Sequence, residues 1–133
     1  MESFRISGSG GYNLEFFDRS PEDPEIPVDQ FWVRLTGPNL SAAIAVDTGY
    51  EPRDPTPLFA EMAVRWRGWP GELVWGSLED EITLRCTQDR SGHVTIAVEL
   101  RSGWPGWSLS ATVETEAGQL ERIARDSARF FGA

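Results

Sequence analysis

His93-Val94-Thr95-Ile96-Ala97-Val98-Glu99-Leu100-Arg101 leads into Gly103-Trp104-Pro105-Gly106 and leaves as Trp107-Ser108-Leu109-Ser110-Ala111-Thr112-Val113. Val94, Ile96, Val98 and Leu100 alternate on one side of the turn, and Trp107, Leu109, Ala111 and Val113 alternate on the other. That is the two-residue period of strands with one buried face. Between them proline fixes φ and glycine tolerates positive φ, so the four residues make a tight, rigid turn. The same phrase occurs earlier as Gly68-Trp69-Pro70-Gly71. In both turns the tryptophan is expected to fold back as a lid over neighbouring apolar surface.

Moving towards the N-terminus, Leu73 to Leu78 and Glu81 to Thr87 read as strands, and Asp89-Arg90-Ser91-Gly92 is a hairpin turn into His93. Before them Thr56 is expected to cap a helix with Pro57 at its first position, and Leu58, Phe59, Met62, Ala63 and Trp66 form its apolar stripe. Four further strands are expected at Phe4–Ile6, Tyr12–Phe17, Phe31–Leu35 and Leu40–Val46. An acidic, proline-rich loop is expected at Ser20 to Pro27, and a second proline-rich loop, Tyr50 to Pro57, ends at the helix start. Downstream a closing helix runs from Glu116 to Phe131, with Leu120, Ile123, Ala124, Ser127 and Phe131 on one stripe. The order strands, helix, strands, helix implies an α+β fold, a mostly antiparallel β-sheet of about seven to eight strands with two α-helices packed on one face. At 133 residues a single domain spanning 1–133 is expected.

Charge narrows the class of partner. Twelve basic against 21 acidic residues give a formal net charge of −9 and a pI near 4.5. Such a surface repels phosphate backbones and anionic lipid, which argues against nucleic acid and membranes and favours a basic protein partner. The one cysteine, Cys86, allows no internal disulfide. No run approaches the ~18 apolar residues of a membrane span, and the first residues lack the basic start and apolar core of a leader. A cytoplasmic location is expected.

Catalytic patterns are wanting. His93 is the single histidine, which removes multi-histidine metal sites and leaves one base for any triad, with Cys86 or Ser91 as its nearest nucleophile. At the start of a strand it needs only a carboxylate or carbonyl partner. Cys86 falls at an inward-facing strand position, where a free cysteine behaves as a small hydrophobe. Glu79-Asp80-Glu81 and Glu22-Asp23-Pro24-Glu25 match no spaced calcium loop and read as solvated turns. No phosphate loop, dinucleotide motif or nucleophile elbow occurs, so no cofactor and no metal are expected. Six tryptophans remain, and Trp32 and Trp75 are the two expected to stand exposed, opposite the apolar alternation of their strands. The candidate binding residues are therefore Trp32, Trp75, Glu79, Asp80, Glu81 and His93.

From the first helix onward, Phe59, Trp66-Arg67-Gly68-Trp69, Trp75-Gly76-Ser77-Leu78-Glu79, Gly92-His93-Val94-Thr95-Ile96, Leu100-Arg101, Trp107, Gly118 to Ala124 and Phe130-Phe131 resemble a bacterial family of small single-domain proteins of unknown function. In the layout of helix, strand run and closing helix the chain is also similar to immunity proteins of the WapI type, which neutralise toxins by binding them. The resemblance implies a non-catalytic protein-binding domain, with a toxin as partner. A small-ligand or carbohydrate-binding module using exposed tryptophans is the alternative, and an enzyme built on His93 a third reading.

Overall fold

The computed structural model describes residues 2–20, 29–49 and 53–132. The strands are β1 (Ser3–Ser7), β2 (Asn13–Phe17), β3 (Asp29–Gly37), β4 (Leu40–Gly49), β5 (Leu73–Gly76), β6 (Ile82–Gln88), β7 (His93–Ser102) and β8 (Trp107–Glu116). The helices are α1 (Thr56–Val64) and α2 (Leu120–Phe130). All strand pairs are antiparallel, but they form two four-stranded sheets, β1-β2-β3-β4 and β5-β6-β7-β8, rather than the one expected from sequence. The chain thus repeats one plan, a four-stranded meander followed by a helix. Alternation along each strand reveals a buried face but not which strands share a sheet, and here the break falls at α1.

Each sheet buries one face. In the first, Phe4, Ile6, Leu14, Phe16, Phe31, Val33 and Leu35 are sealed from solvent, and in the second Ile82, Leu84, Cys86, Val94, Ile96, Val98, Leu100 and Val113 are. The register carries this face across the strands: Cys86 opposes Ile96, which opposes Val113. Burying so much apolar surface, at roughly 25 cal/mol per Å², drives the fold. An aromatic cluster ties the first sheet to both helices. Phe16 stacks on Phe4 at 5.2 Å and meets Phe59 of α1 edge-on at 6.5 Å, while Phe131 lies 5.0 Å from Phe31. The helices also meet through hydroxyls, Thr56 Oγ1 lying 2.7 Å from the buried Ser127 Oγ.

Local chemistry explains where the helices stop and start. Thr56 is the first residue of α1 and not its cap; its backbone N–H donates to the Asp54 carboxylate at 2.8 Å. The helix ends at Val64, sooner than its apolar spacing suggests, as Arg65 N–H donates to Glu61 O and Gly68 N–H to Arg65 O. Trp66 consequently leaves the buried stripe and is 53% exposed, with the Arg67 guanidinium 5.0 Å over its ring. At the other end of the chain the closing segment begins with a 3-10 turn, Ala117–Gln119, before α2.

The sheets meet along their edges at Gly8. A Cβ there would lie 2.7 Å from Val113 Cγ1 and 3.0 Å from the Glu114 backbone nitrogen and oxygen, so only glycine permits this approach. On the opposite side β4 lies against β7.

Candidate functional site

Three segments converge at one end of the second sheet. The β5–β6 turn, Ser77 to Glu81, neighbours the β7–β8 tip because Ile82 pairs with Leu100 and Arg101 N–H donates to Glu81 O at 2.9 Å. The end of β4 joins them, since Asp47 N–H donates to Glu81 Oε2 at 3.0 Å. Ser77 is buried and organises the turn: its hydroxyl donates to Glu81 Oε1 at 2.7 Å and accepts from Ile82 N–H at 3.1 Å. Asp80 takes a left-handed φ of 61°, a conformation that aspartate tolerates better than most side chains.

The result is an acidic cluster. Carboxylate oxygens of Asp47, Glu79 and Glu81 all come within 4.8 Å of one another, and Asp80 is exposed beside them. None of the ion pairs among the described residues involves these carboxylates. Gln30 Nε2 donates to Asp47 Oδ1 at 3.0 Å, and both Glu81 oxygens already accept hydrogen bonds. One oxygen from each residue could face a divalent ion, but three fall short of the six to eight oxygens that calcium takes. A guanidinium or ammonium group, which wants hydrogen-bond acceptors and negative charge, suits the same oxygens.

Apolar surface flanks the carboxylates. Leu78 is 53% exposed in the same turn, and at the hairpin tip Trp104 is 96% and Trp107 41% exposed. On the outer face of the first sheet Trp32 pairs with Ala45, and the adjoining pair is Gln30 with Asp47. Trp32 therefore stands on the ladder beside the cluster, tilted at 6.3 Å against Phe17, whose other neighbour is the Arg34 guanidinium 4.2 Å over its ring.

The structure gathers Trp32, Glu79, Asp80 and Glu81 into one region and leaves Trp75 and His93 out of it. Trp75 pairs with Leu84, so its ring lies on the inner face of β5, half-buried against the core and not exposed. The expectation failed because β5 is only four residues long, too short for alternation to tell which face is inner. His93 begins β7 at the far end of the sheet and is held by its turn. Asp89 accepts from His93 N–H at 3.0 Å and lies 3.2 Å from His93 Nδ1. The His93 backbone N–H, then its ring and the Ser91 N–H, hold the Asp89 carboxyl below the usual range. Cys86 cannot serve as its nucleophile, because it sits on the inner face opposite Ile96 while His93 is on the outer face. Burial first, then the nearby Glu72 charge, push the Cys86 thiol up to about 12. Acidic Glu22 to Glu25 lie outside the described residues.

Sequence reading missed Asp47 and Leu78, and it placed Trp104 wrongly, as a lid over core. Asp47 carries no local signal, because only the packing of β4 beside the β5–β6 turn gives it a role.

Open concavities lie elsewhere. A groove of about 410 Å³ runs over the outer face of the second sheet between Thr83, Arg85, Ala97, Glu99, Ser110 and Thr112, and Arg85 there is 3.8 Å from Glu72. No tryptophan lines it. A recess of about 270 Å³ between α1 and β5 is lined by Trp75, Leu58, Glu61 and Glu72, and another of about 270 Å³ by Trp66, Ala63 and Glu121. No helix among the described residues is long and apolar enough to cross a membrane.

The fold and its surface define an α+β protein of two antiparallel meanders with an acidic, aromatic end. The chain belongs to a family of unknown function, DUF6228, whose model matches residues 5–133. No curated protein matches it. No solved structure matches it either.

Proposed function

We propose that this protein is a non-catalytic protein-binding domain whose acidic, aromatic end takes a basic protein partner. The observation that carries this reading is the approach of Asp47, Glu79 and Glu81 within 4.8 Å beside the exposed Leu78 and Trp104. A partner's lysine or arginine would meet carboxylates that have no paired cation among the described residues. Leu78 and Trp104 supply apolar area of the kind that anchors interfaces, and a tryptophan brings it at little entropy cost. Resemblance to the immunity proteins supports a toxin as that partner. A bacterial, cytoplasmic protein that meets such a toxin needs binding and no chemistry.

The test uses another feature of the composition: all twelve basic side chains are arginines. Carbodiimide coupling of carboxylates to lysine amines can therefore join this chain to a partner's lysines but not to lysines of its own. Coupling in lysates of the host, and of neighbours that deliver toxins, is expected to yield a discrete cross-linked partner. Glu79→Gln with Glu81→Gln should abolish it, Trp104→Ala should weaken it, and salt should suppress it. An absent product, or one indifferent to these substitutions, overturns the proposal.

A further inference from the structure

Strand β8 is the outermost strand of its sheet, and one side of it carries backbone groups with no ladder partner among the described residues. From Trp107 to Thr112 it bears no charge and no proline, the two residue types that most often guard such edges. Trp107, Ser108, Ser110 and Thr112 are exposed there, and Leu109 and Ala111 are only half-buried although they point to the core side. The other edges are guarded. Strand β5 has four residues with α1 against it, β1 is five residues long and carries Arg5 paired to Glu15, and β4 lies against β7.

We propose that the protein forms a dimer by antiparallel pairing of β8 with β8 of a second copy, centred on Leu109. Gly8 presses on the backbone at Glu114, so the free stretch ends near Thr112. Across a two-fold axis opposing side chains must share a face. Centres on Leu109 and on Ser110 both meet this condition inside the free stretch, and Leu109 is the one that brings the Trp107 ring into the ladder. It sets Trp107 against the partner copy's Ala111 position, Ser108 against the Ser110 position and Leu109 against itself. A large ring thereby faces a methyl group, the small-against-large packing that cross-strand pairs favour. Charge agrees, for a chain of net charge −9 meets its own copy with least repulsion along an uncharged strand.

So short a ladder is expected to cover less than the roughly 800 Å² per partner of a standard interface, so the dimer is expected to be weak and is sought over a concentration series from about 1 to about 100 µM. This inference stands apart from the binding reading: it uses the edge of β8 and none of the acidic cluster.

Sedimentation velocity on the full chain over that range tests it. The wild type is expected to move from monomer to dimer. Ser108→Glu with Ser110→Glu sets carboxylates opposite carboxylates and should hold the chain monomeric, as should Ser108→Arg with Ser110→Arg. An equal mixture of the two double variants should recover a dimer. Both positions are exposed, so circular dichroism should be unchanged. A second measurement does not depend on these variants: Leu109→Cys should give a covalent dimer on mild oxidation, and Thr83→Cys, on the face of β6, should not. A wild type that stays monomeric, a dimer that survives both double substitutions, or a mixture that stays monomeric overturns the inference.

Discussion

The two Gly-Trp-Pro-Gly turns are identical in sequence and opposite in outcome. Trp69, between α1 and β5, is 6% exposed, and its indole N–H donates to the Cys86 carbonyl at 3.0 Å. Trp104, at the β7–β8 tip, is 96% exposed. Both turns use glycines in the left-handed region, Gly68 and Gly71 in the first and Gly103 in the second, and a side chain on Gly106 would collide with the Ser102 carbonyl. The backbones differ as well, since Gly71 has a positive φ and its counterpart Gly106 does not, so the surroundings decide both the detail of the turn and the fate of the ring. The first turn returns the chain along the inner face of a sheet, where a ring finds β6 beneath it; the second projects past the ends of the strands, where there is nothing to cover. Identical phrases thus serve the core at one place and the surface at the other.

The comparison breaks most visibly at Trp69. Trp69→Ala removes a buried ring and its hydrogen bond to the Cys86 carbonyl, and should cost about 3–5 kcal/mol in denaturant unfolding. Trp69→Phe keeps most of the packing but loses the N–H donor, and about 1–3 kcal/mol is expected for it. If both substitutions cost no more than a surface change, Trp69 is not the lid its burial indicates.

How much of this was legible beforehand differs between fold and site. Residues such as Val94, Ile96, Val98 and Leu100 announce a buried face by alternation, and the turn at Asp89 to Gly92 announces its hairpin, so the α+β class and the element order could be read directly. What could not be read depended on contacts between distant segments. Nothing near Asp47 hints that its backbone will meet Glu81, and nothing in Leu73 to Gly76 reveals that Trp75 faces Leu84. Trp104 was misjudged for the same reason, since a lid requires neighbours that only the tertiary fold supplies. The acidic turn at Glu79 to Glu81 was recognisable as charge, but its convergence with β4 and the hairpin tip was not.

The thiol behind Trp69 sharpens the contrast through pH. Burial raises the Cys86 thiol from 9.0 to about 12 in the folded chain, so the native state holds its proton more tightly than the unfolded state does. The stabilisation is complete below about 9 and declines as pH rises from there towards about 12. Unfolding midpoints should fall with pH in that window, and Cys86→Ala should flatten this slope while lowering stability at neutral pH. Native thiol labelling at pH 8 should be slow in the wild type and faster in Trp69→Ala, whose missing ring opens a path to the sulfur. Fast labelling of the wild type would show that the site opens without losing its lid.

Trp104 supplies the smallest expected effect on stability. With its ring almost wholly in solvent, Trp104→Ala removes no packing, and the unfolding free energy should change by less than about 0.5 kcal/mol. Keeping such a ring in water forgoes the stabilisation that burial gives Trp69, and a partner that covers it would recover that free energy in the complex. The substitution should therefore leave melting unchanged and weaken capture of the proposed basic partner. Melting that falls as far as in Trp69→Ala would mean that the tip folds back onto the sheet in solution, and the two turns would no longer differ.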